Sequence, residues 1–263
     1  MSGHLTCYCP KDNQENLTLR LLLLILLLAC SKLSSAQTLQ TFHSGIEQVQ
    51  LLELYTSQGC SSCPPAEKWL SRFMDRDTLW QRIIPVNFHV DYWDNLGWPD
   101  PYASAQYTQR QRIYKALGNT KVVATPGFVI NGRGWNGWFY GQTLPIGSPV
   151  KVGELTLKVN EQTFNAKFEE DQPSDKKLTL NIAQLGFGLF DKIKRGENEG
   201  KLLRHDFVVL SFQQLPLSQS NGTYFIASEL AKPISLSPVT GIAAWVTVDS
   251  NPTPIQSVGG YLK

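Results

Sequence analysis

A Cys-x-x-Cys pair, Cys60-Ser61-Ser62-Cys63, set between an apolar run and a helical pattern, constrains this chain more than any other stretch. Val49–Tyr55 is mostly apolar and β-prone, which predicts a strand buried on both faces. The polar turn Thr56–Gly59 follows, then the two cysteines, then Pro64-Pro65. Ala66, Trp69, Leu70, Phe73 and Met74 then recur at the spacing of one helix face. A dithiol on a strand-to-helix turn is open to electrostatic tuning. The positive end of a helix stabilises a thiolate and draws a cysteine pKa from about 8.5 into the range of about 3.5–7.5.

What the cysteines can be used for depends on the first 36 residues. Leu21–Ala29 is an apolar block preceded by Arg20 and too short to span a membrane. Ser34-Ser35-Ala36 supplies the small residues a signal peptidase reads, so residues 1–36 are expected to be a signal segment cleaved after Ala36. Residues 1–16 are long and polar for the start of such a segment, which points to a start further downstream. A second reading takes Leu27-Leu28-Ala29-Cys30 as similar to a bacterial lipobox, with Cys30 acylated. Lipidation there is the one route by which this sequence reaches a membrane. On either reading the chain is expected to be exported, periplasmic or secreted.

Of the five cysteines, Cys7, Cys9 and Cys30 fall in or before the export segment, so Cys60 and Cys63 alone remain after it. A bridge enclosing two residues restricts the unfolded chain very little, so this pair is not there for stability. The chain has 263 residues, 42% of them hydrophobic, enough for a proper core. A net charge of +2 without a long basic run gives no case for a nucleic-acid partner.

Beyond the first helix, Ile83–Asp91 reads as a second buried strand with His89 and Asp91 on one face of its end. An aromatic loop, Tyr92–Pro99, leads to Asp100-Pro101, a good helix start, and a helix is expected from Pro101 to Leu117 with Gly118 ending it. Val122–Gly132 reads as a strand interrupted by Pro126. A cis Thr125–Pro126 bond at the strand start resolves that conflict, with Asn131-Gly132 as a type I′ turn.

This order, strand, Cys-x-x-Cys, helix, strand, helix and Thr-Pro before a strand and hairpin, resembles the thioredoxin-like superfamily. Glu53–Ala66, His89–Asp94 and Ala124–Gly132 are similar to an exported bacterial thioredoxin-like family of unknown function. The resemblance covers residues 47–138 closely and the remainder weakly. It implies that Cys60 attacks, that Cys63 resolves, that Pro126 is cis beside the dithiol, and that Thr125 offers backbone to a bound peptide. It also implies that Glu53, on the strand before the turn, moves the proton of Cys63. The chain departs from the pattern twice. Pro64-Pro65 moves the regular helix start toward Cys63, and the glycines and prolines of Trp138–Pro149 leave no closing helix.

Residues 150–263 alternate with period two in Leu155/Leu157/Val159, Phe164/Ala166/Phe168, Leu178/Leu180/Ile182, Phe207/Val209 and Ile242/Ala244/Val246/Val248. Short strands at such spacing predict a small antiparallel β-sandwich. The expected architecture is therefore an α/β thioredoxin-like domain over 37–149, a central mixed sheet with flanking helices, followed by a β-rich domain over 150–263. The charged segment Lys192–Glu199 reads as a solvated hairpin tip, His205-Asp206 as structural, and Asn221-Gly222 as a turn.

The function these residues suggest is an exported thiol–disulfide oxidoreductase that needs no cofactor. Its partners would be a disulfide-containing protein or small thiol and a second, unidentified redox protein. Two alternatives stay open: a non-enzymatic binding module, and Cu(I) handling by Cys60, Cys63 and His89. Zinc held by the cysteines is disfavoured, because the residues after the export segment offer two cysteines plus His43, His89 and His205.

Overall fold

The computed structural model describes residues 3, 4, 6 and 38–263, apart from 146, 148 and 173. The apolar export block, the cleavage point after Ala36 and Cys7, Cys9 and Cys30 lie outside the described residues. No helix among the described residues is long and apolar enough to cross a membrane.

Leu39–Lys263 is one compact unit. Its first half runs β1 (Gln40–His43), β2 (Gln50–Thr56), α1 (Cys63–Ser71), β3 (Ile83–His89), α2 (Ala105–Ala116), β4 (Gly127–Ile130) and β5 (Arg133–Gly134). Ten strands follow: β6 (Gly153–Val159), β7 (Thr163–Glu170), β8 (Leu178–Gly186), β9 (Leu189–Lys192), β10 (Leu202–His205), β11 (Val208–Pro216), β12 (Ser218–Ser220), β13 (Thr223–Glu229), β14 (Gly241–Val248) and β15 (Pro254–Tyr261).

The strands form an eight-stranded mixed sheet in the order β15-β14-β8-β11-β3-β2-β4-β5 and a five-stranded antiparallel sheet, β1-β6-β7-β13-β12. The hairpin β9-β10 stands apart. Only β2–β3 and β3–β11 are parallel neighbours in the large sheet. The expected α/β thioredoxin-like core with flanking helices, followed by its own sandwich, is thus overturned. The described chain is mostly strand, 42% against 15% helix, and strands from before and after residue 149 share one sheet.

The reason lies in β8 and β14. Their period-two residues Leu180, Ile182, Ile242, Ala244 and Val246 face the five-stranded sheet and pack on Leu155, Leu157, Phe164, Phe168 and Tyr224. The residues between them, Ala183, Leu185, Ala243 and Trp245, are apolar as well. They pack on the other face with Tyr55, Phe88, Tyr107, Tyr114 and Phe212. Strands buried on both faces belong in the interior of a sheet, and these two extend the one begun by β2 and β3. A third cluster sets α1, through Ala66 and Leu70, and Phe73 of the 3-10 turn that follows it (Arg72–Asp75), against Leu52, Leu54, Phe128 and Ile130, with Trp69, Trp135 and Trp138 beside it.

Local rules hold at several places. α1 begins at Cys63 with Ser62 as its cap residue, where Pro64-Pro65 allow it to begin. The second helix starts later than expected, at Ala105, because Ser104 caps it through the Gln106 amide at 3.3 Å. It turns Tyr107, Arg110, Gln111 and Tyr114 inward and leaves Leu117 exposed. Gly118 follows at φ +73°. Asn131 and Gly132 both take positive φ, +43° and +78°, in the tight hairpin between β4 and β5. The two extremities of the unit meet: Gln40 Oε1 accepts the Lys263 amide at 2.9 Å, and Gln40 Nε2 donates to the Tyr261 carbonyl at 3.5 Å.

Candidate functional site

The end of β2 runs into a turn held by backbone hydrogen bonds from Cys60 N to Ser57 O at 3.1 Å and from Cys63 N to Cys60 O at 3.2 Å. Gly59 lets Trp93 close on this turn, since a Cβ at Gly59 would lie 3.1 Å from Trp93 Cβ. Cys60 and Cys63 are both free thiols and both buried.

The Thr125–Pro126 bond is cis. It brings the Thr125 carbonyl to 3.7 Å from Cys60 Sγ, while Thr125 Oγ1 accepts the Trp93 indole N–H at 2.8 Å. The cis-proline loop is held from behind by Gln111, whose Nε2 donates to the Ala124 carbonyl at 2.7 Å. Cys60, Cys63, Thr125 and Pro126 are therefore gathered at one place.

The two thiols differ in acidity. Cys60 is lowered to about 6, chiefly by the hydrogen bond from the Cys63 thiol, which outweighs burial, with help from Ser62 Oγ at 3.2 Å and Thr125. Cys63 is pushed well above the ordinary thiol range by burial first and by the Cys60 thiolate second. One sulfur is poised as a thiolate and its neighbour holds the proton that stabilises it.

Glu53 is buried, but it faces α2 and not the thiols. It accepts from Arg110 Nε at 2.7 Å and Nη2 at 3.1 Å, and from the hydroxyls of Tyr55 at 2.8 Å and Tyr114 at 2.5 Å. Glu67, on the inward face of α1, lies under the dithiol instead. Its Oε1 accepts the Thr56 hydroxyl at 2.6 Å, and Thr56 in turn hydrogen-bonds Cys63. Its Oε2 pairs with His205 Nδ1. Burial raises the Glu67 carboxyl, but the charge and hydrogen bond of His205 prevail and hold it below the usual range. His205 moves the other way: Glu67 raises it against the effect of burial.

His89 is fully buried, with Nδ1 at 2.7 Å from Asp100 Oδ2. Asp100, expected to cap a helix, is an interior acceptor that also takes the Gln58 and Tyr102 amides at 2.8 and 3.0 Å. Glu67, His89 and His205 each offer a ligand atom within 4.8 Å of the others, the one such group of three among the described residues. That group does not include Cys60 or Cys63. Asp91 lies outside this network and accepts the Thr108 hydroxyl at 2.5 Å.

The β9–β10 connection crosses the dithiol. Asn198, fully buried, donates Nδ2 to the carbonyls of Gln58 at 2.8 Å and Cys60 at 2.9 Å, and Glu197 accepts the Ser61 amide at 2.9 Å. The charged segment expected to be a solvated tip is in part a strap over the turn. Its composition gave no hint of this, because the residue that reaches the turn is a lone buried asparagine among charges. Glu67 was equally hidden in sequence, although Glu67 and Lys68 sit between the apolar helix positions Ala66 and Trp69. Most of the loop aromatics are structural: Trp98 donates to Gln58 Oε1 at 2.8 Å, and Trp135 and Trp138 pack against Phe128.

The family model described as "Protein of unknown function (DUF1223)" matches residues 51–247. No curated protein matches this chain. Among solved structures it is similar to protein AGR_C_4864 from Agrobacterium tumefaciens, with a TM-score of 0.53 and 24% identity, covering 82% of this chain and 95% of that one. It is also similar to HBP35 of Porphyromonas gingivalis, with a TM-score of 0.56 and 17% identity over 83% of this chain and 76% of that one. At these identities the two structures bear on the fold alone.

Proposed function

This chain belongs to the DUF1223 family, and we propose that it is an exported thiol–disulfide oxidoreductase working through Cys60 and Cys63. The observation that carries the reading is the split between the two thiols beside a cis proline: Cys60 lowered to about 6, Cys63 raised. In its site, though not in its overall architecture, the chain is read as akin to the thioredoxin-like superfamily.

Cys60 thiolate attacks one sulfur of a substrate disulfide. A Cys60–substrate S–S bond forms, the substrate S–S bond breaks, and the departing thiolate takes a proton from water. Cys63 then loses its proton and attacks Cys60 Sγ, closing the Cys60–Cys63 bond and releasing the second substrate thiolate. Two electrons pass from the dithiol to the substrate, and the reverse sequence oxidises a substrate dithiol. The proton of Cys63 has a path through the Thr56 hydroxyl to Glu67, which takes the role expected of Glu53. A thiolate maintained at neutral pH stabilises the reduced form and makes the disulfide form the better oxidant.

The competing reading is a binding module whose dithiol does not turn over. Its support is the burial of Cys60, 1% exposed beneath the Asn198 strap. Cys63→Ser separates the two. An oxidoreductase carrying it accumulates a mixed disulfide through Cys60 when given a disulfide-bearing protein, and the intact pair equilibrates with glutathione buffers. Two inert thiols, or a potential well below about −300 mV, would overturn the redox reading.

A further inference from the structure

We propose that Glu67, His89 and His205 form a binding site for one divalent transition-metal ion, of the zinc type. Three separate elements converge to make it. Glu67 comes from α1, His89 from the end of β3 and His205 from the end of β10, each buried. One donor atom from each lies within 4.8 Å of the other two.

His89 supplies the independent observation. Asp100 is a carboxylate engaged by two backbone amides, so His89 Nδ1 must carry the proton it shares with Asp100 Oδ2. In the neutral ring Nε2 then offers its lone pair. It is fully buried and finds no partner among the described residues. Buried acceptors are rarely left in that state without a reason. Asn87, two residues earlier and so on the same face of β3, has a buried Oδ1 without a described partner as well. Its Nδ2 lies 3.5 Å from Glu67 Oε2.

The surroundings are those of a metal site. Histidine ligands are oriented by a polar partner on their other nitrogen, often a carboxylate: Asp100 does this for His89, while His205 Nε2 lies 3.1 Å from the side-chain amide nitrogen of Gln58, which itself donates to Asp191 Oδ2 at 3.0 Å. Glu67 is steadied by Thr56. Three carboxylates, Glu67, Asp100 and Asp191, surround the two imidazoles, an excess of negative charge that favours a cation. Two imidazole nitrogens and one carboxylate oxygen suit zinc and its neighbours. Calcium and magnesium call for all-oxygen sites and Cu(I) for sulfur. A cavity of about 340 Å³ lined by Pro64, Glu67, Lys68, Ser71, Leu203 and His205 reaches the site between α1 and β10. On binding, the ion replaces the proton between His205 and Glu67, which leaves to solvent.

This site does not depend on the dithiol being redox-active. The test uses the full chain carrying Cys60→Ser and Cys63→Ser, stripped with a chelator and titrated with Zn²⁺ against a chromophoric competitor. One equivalent is expected to bind, with X-ray absorption giving nitrogen and oxygen neighbours at about 2.0–2.2 Å and none at the sulfur distance of about 2.3 Å. His89→Gln, and separately His205→Gln, should weaken binding at least a hundredfold while circular dichroism remains that of the parent. Binding that needs the cysteines, survives both histidine substitutions or does not saturate at one equivalent would overturn the proposal. If both variants misfold, the absorption spectrum of the parent decides it.

Discussion

At the scale of single residues, Cys60 gives the sharpest expectation. Its thiolate persists above about pH 6 and is protonated below it. Alkylation of Cys60 at limiting reagent should therefore be nearly flat from pH 8 down to about 6.5. Below 6 it should fall roughly tenfold per unit. Cys63, raised instead of lowered, should stay unlabelled over the same range. Mass spectrometry of the labelled peptide reads both. The Glu53–Arg110 pair makes a different prediction. Both charges are buried, and removing one strands the other. Arg110→Met should cost about 3–5 kcal/mol of stability, seen as a lower urea midpoint, with reactivity at Cys60 retained. This is also where sequence reading went astray. It could tell that Glu53 was interior, because leucines flank it, but the partners that turn it toward α2, Arg110 and Tyr114, sit 57 and 61 positions away.

At the scale of elements, the strap between β9 and β10 governs access to the dithiol. Asn198 holds two carbonyls of the Cys-x-x-Cys turn that have no other described side-chain partner. Asn198→Ala should ease local opening by about 1–2 kcal/mol, about 5–30-fold in the open population. A bulky maleimide should then label Cys60 faster by that factor, while a small reagent shows less change. The helices and the first strands were legible because local rules specify them: apolar spacing in α1, Gly118 after α2, Asn131-Gly132 between β4 and β5. The strap and the Glu67–His205 pairing were not, since each depends on a contact spanning more than a hundred residues.

For the whole molecule, the decisive fact is that β3 has β2 on one side and β11 on the other. Phe88 on β3 packs against Phe212 of β11 and Trp245 of β14, so the dithiol half and the strand-rich half share a core. Unfolding should be a single transition, with near-ultraviolet and far-ultraviolet circular dichroism losing signal at the same denaturant concentration. Alternation in residues 150–263 identified many of these strands, but pairing order is not a local property. A strand apolar on both faces states that it is central without saying which neighbours it takes.

The hydrogen bonds between Gln40 and the segment Tyr261–Lys263 carry a topological consequence. The folded unit is almost a ring, open at one short gap between residue 40 and residue 263. A brief linker across that gap would let the chain be reopened elsewhere, for instance at the exposed Asn221-Gly222 turn, with every sheet pairing preserved. A tether attached at residue 40 and a fusion attached at residue 263 would share a single point of attachment.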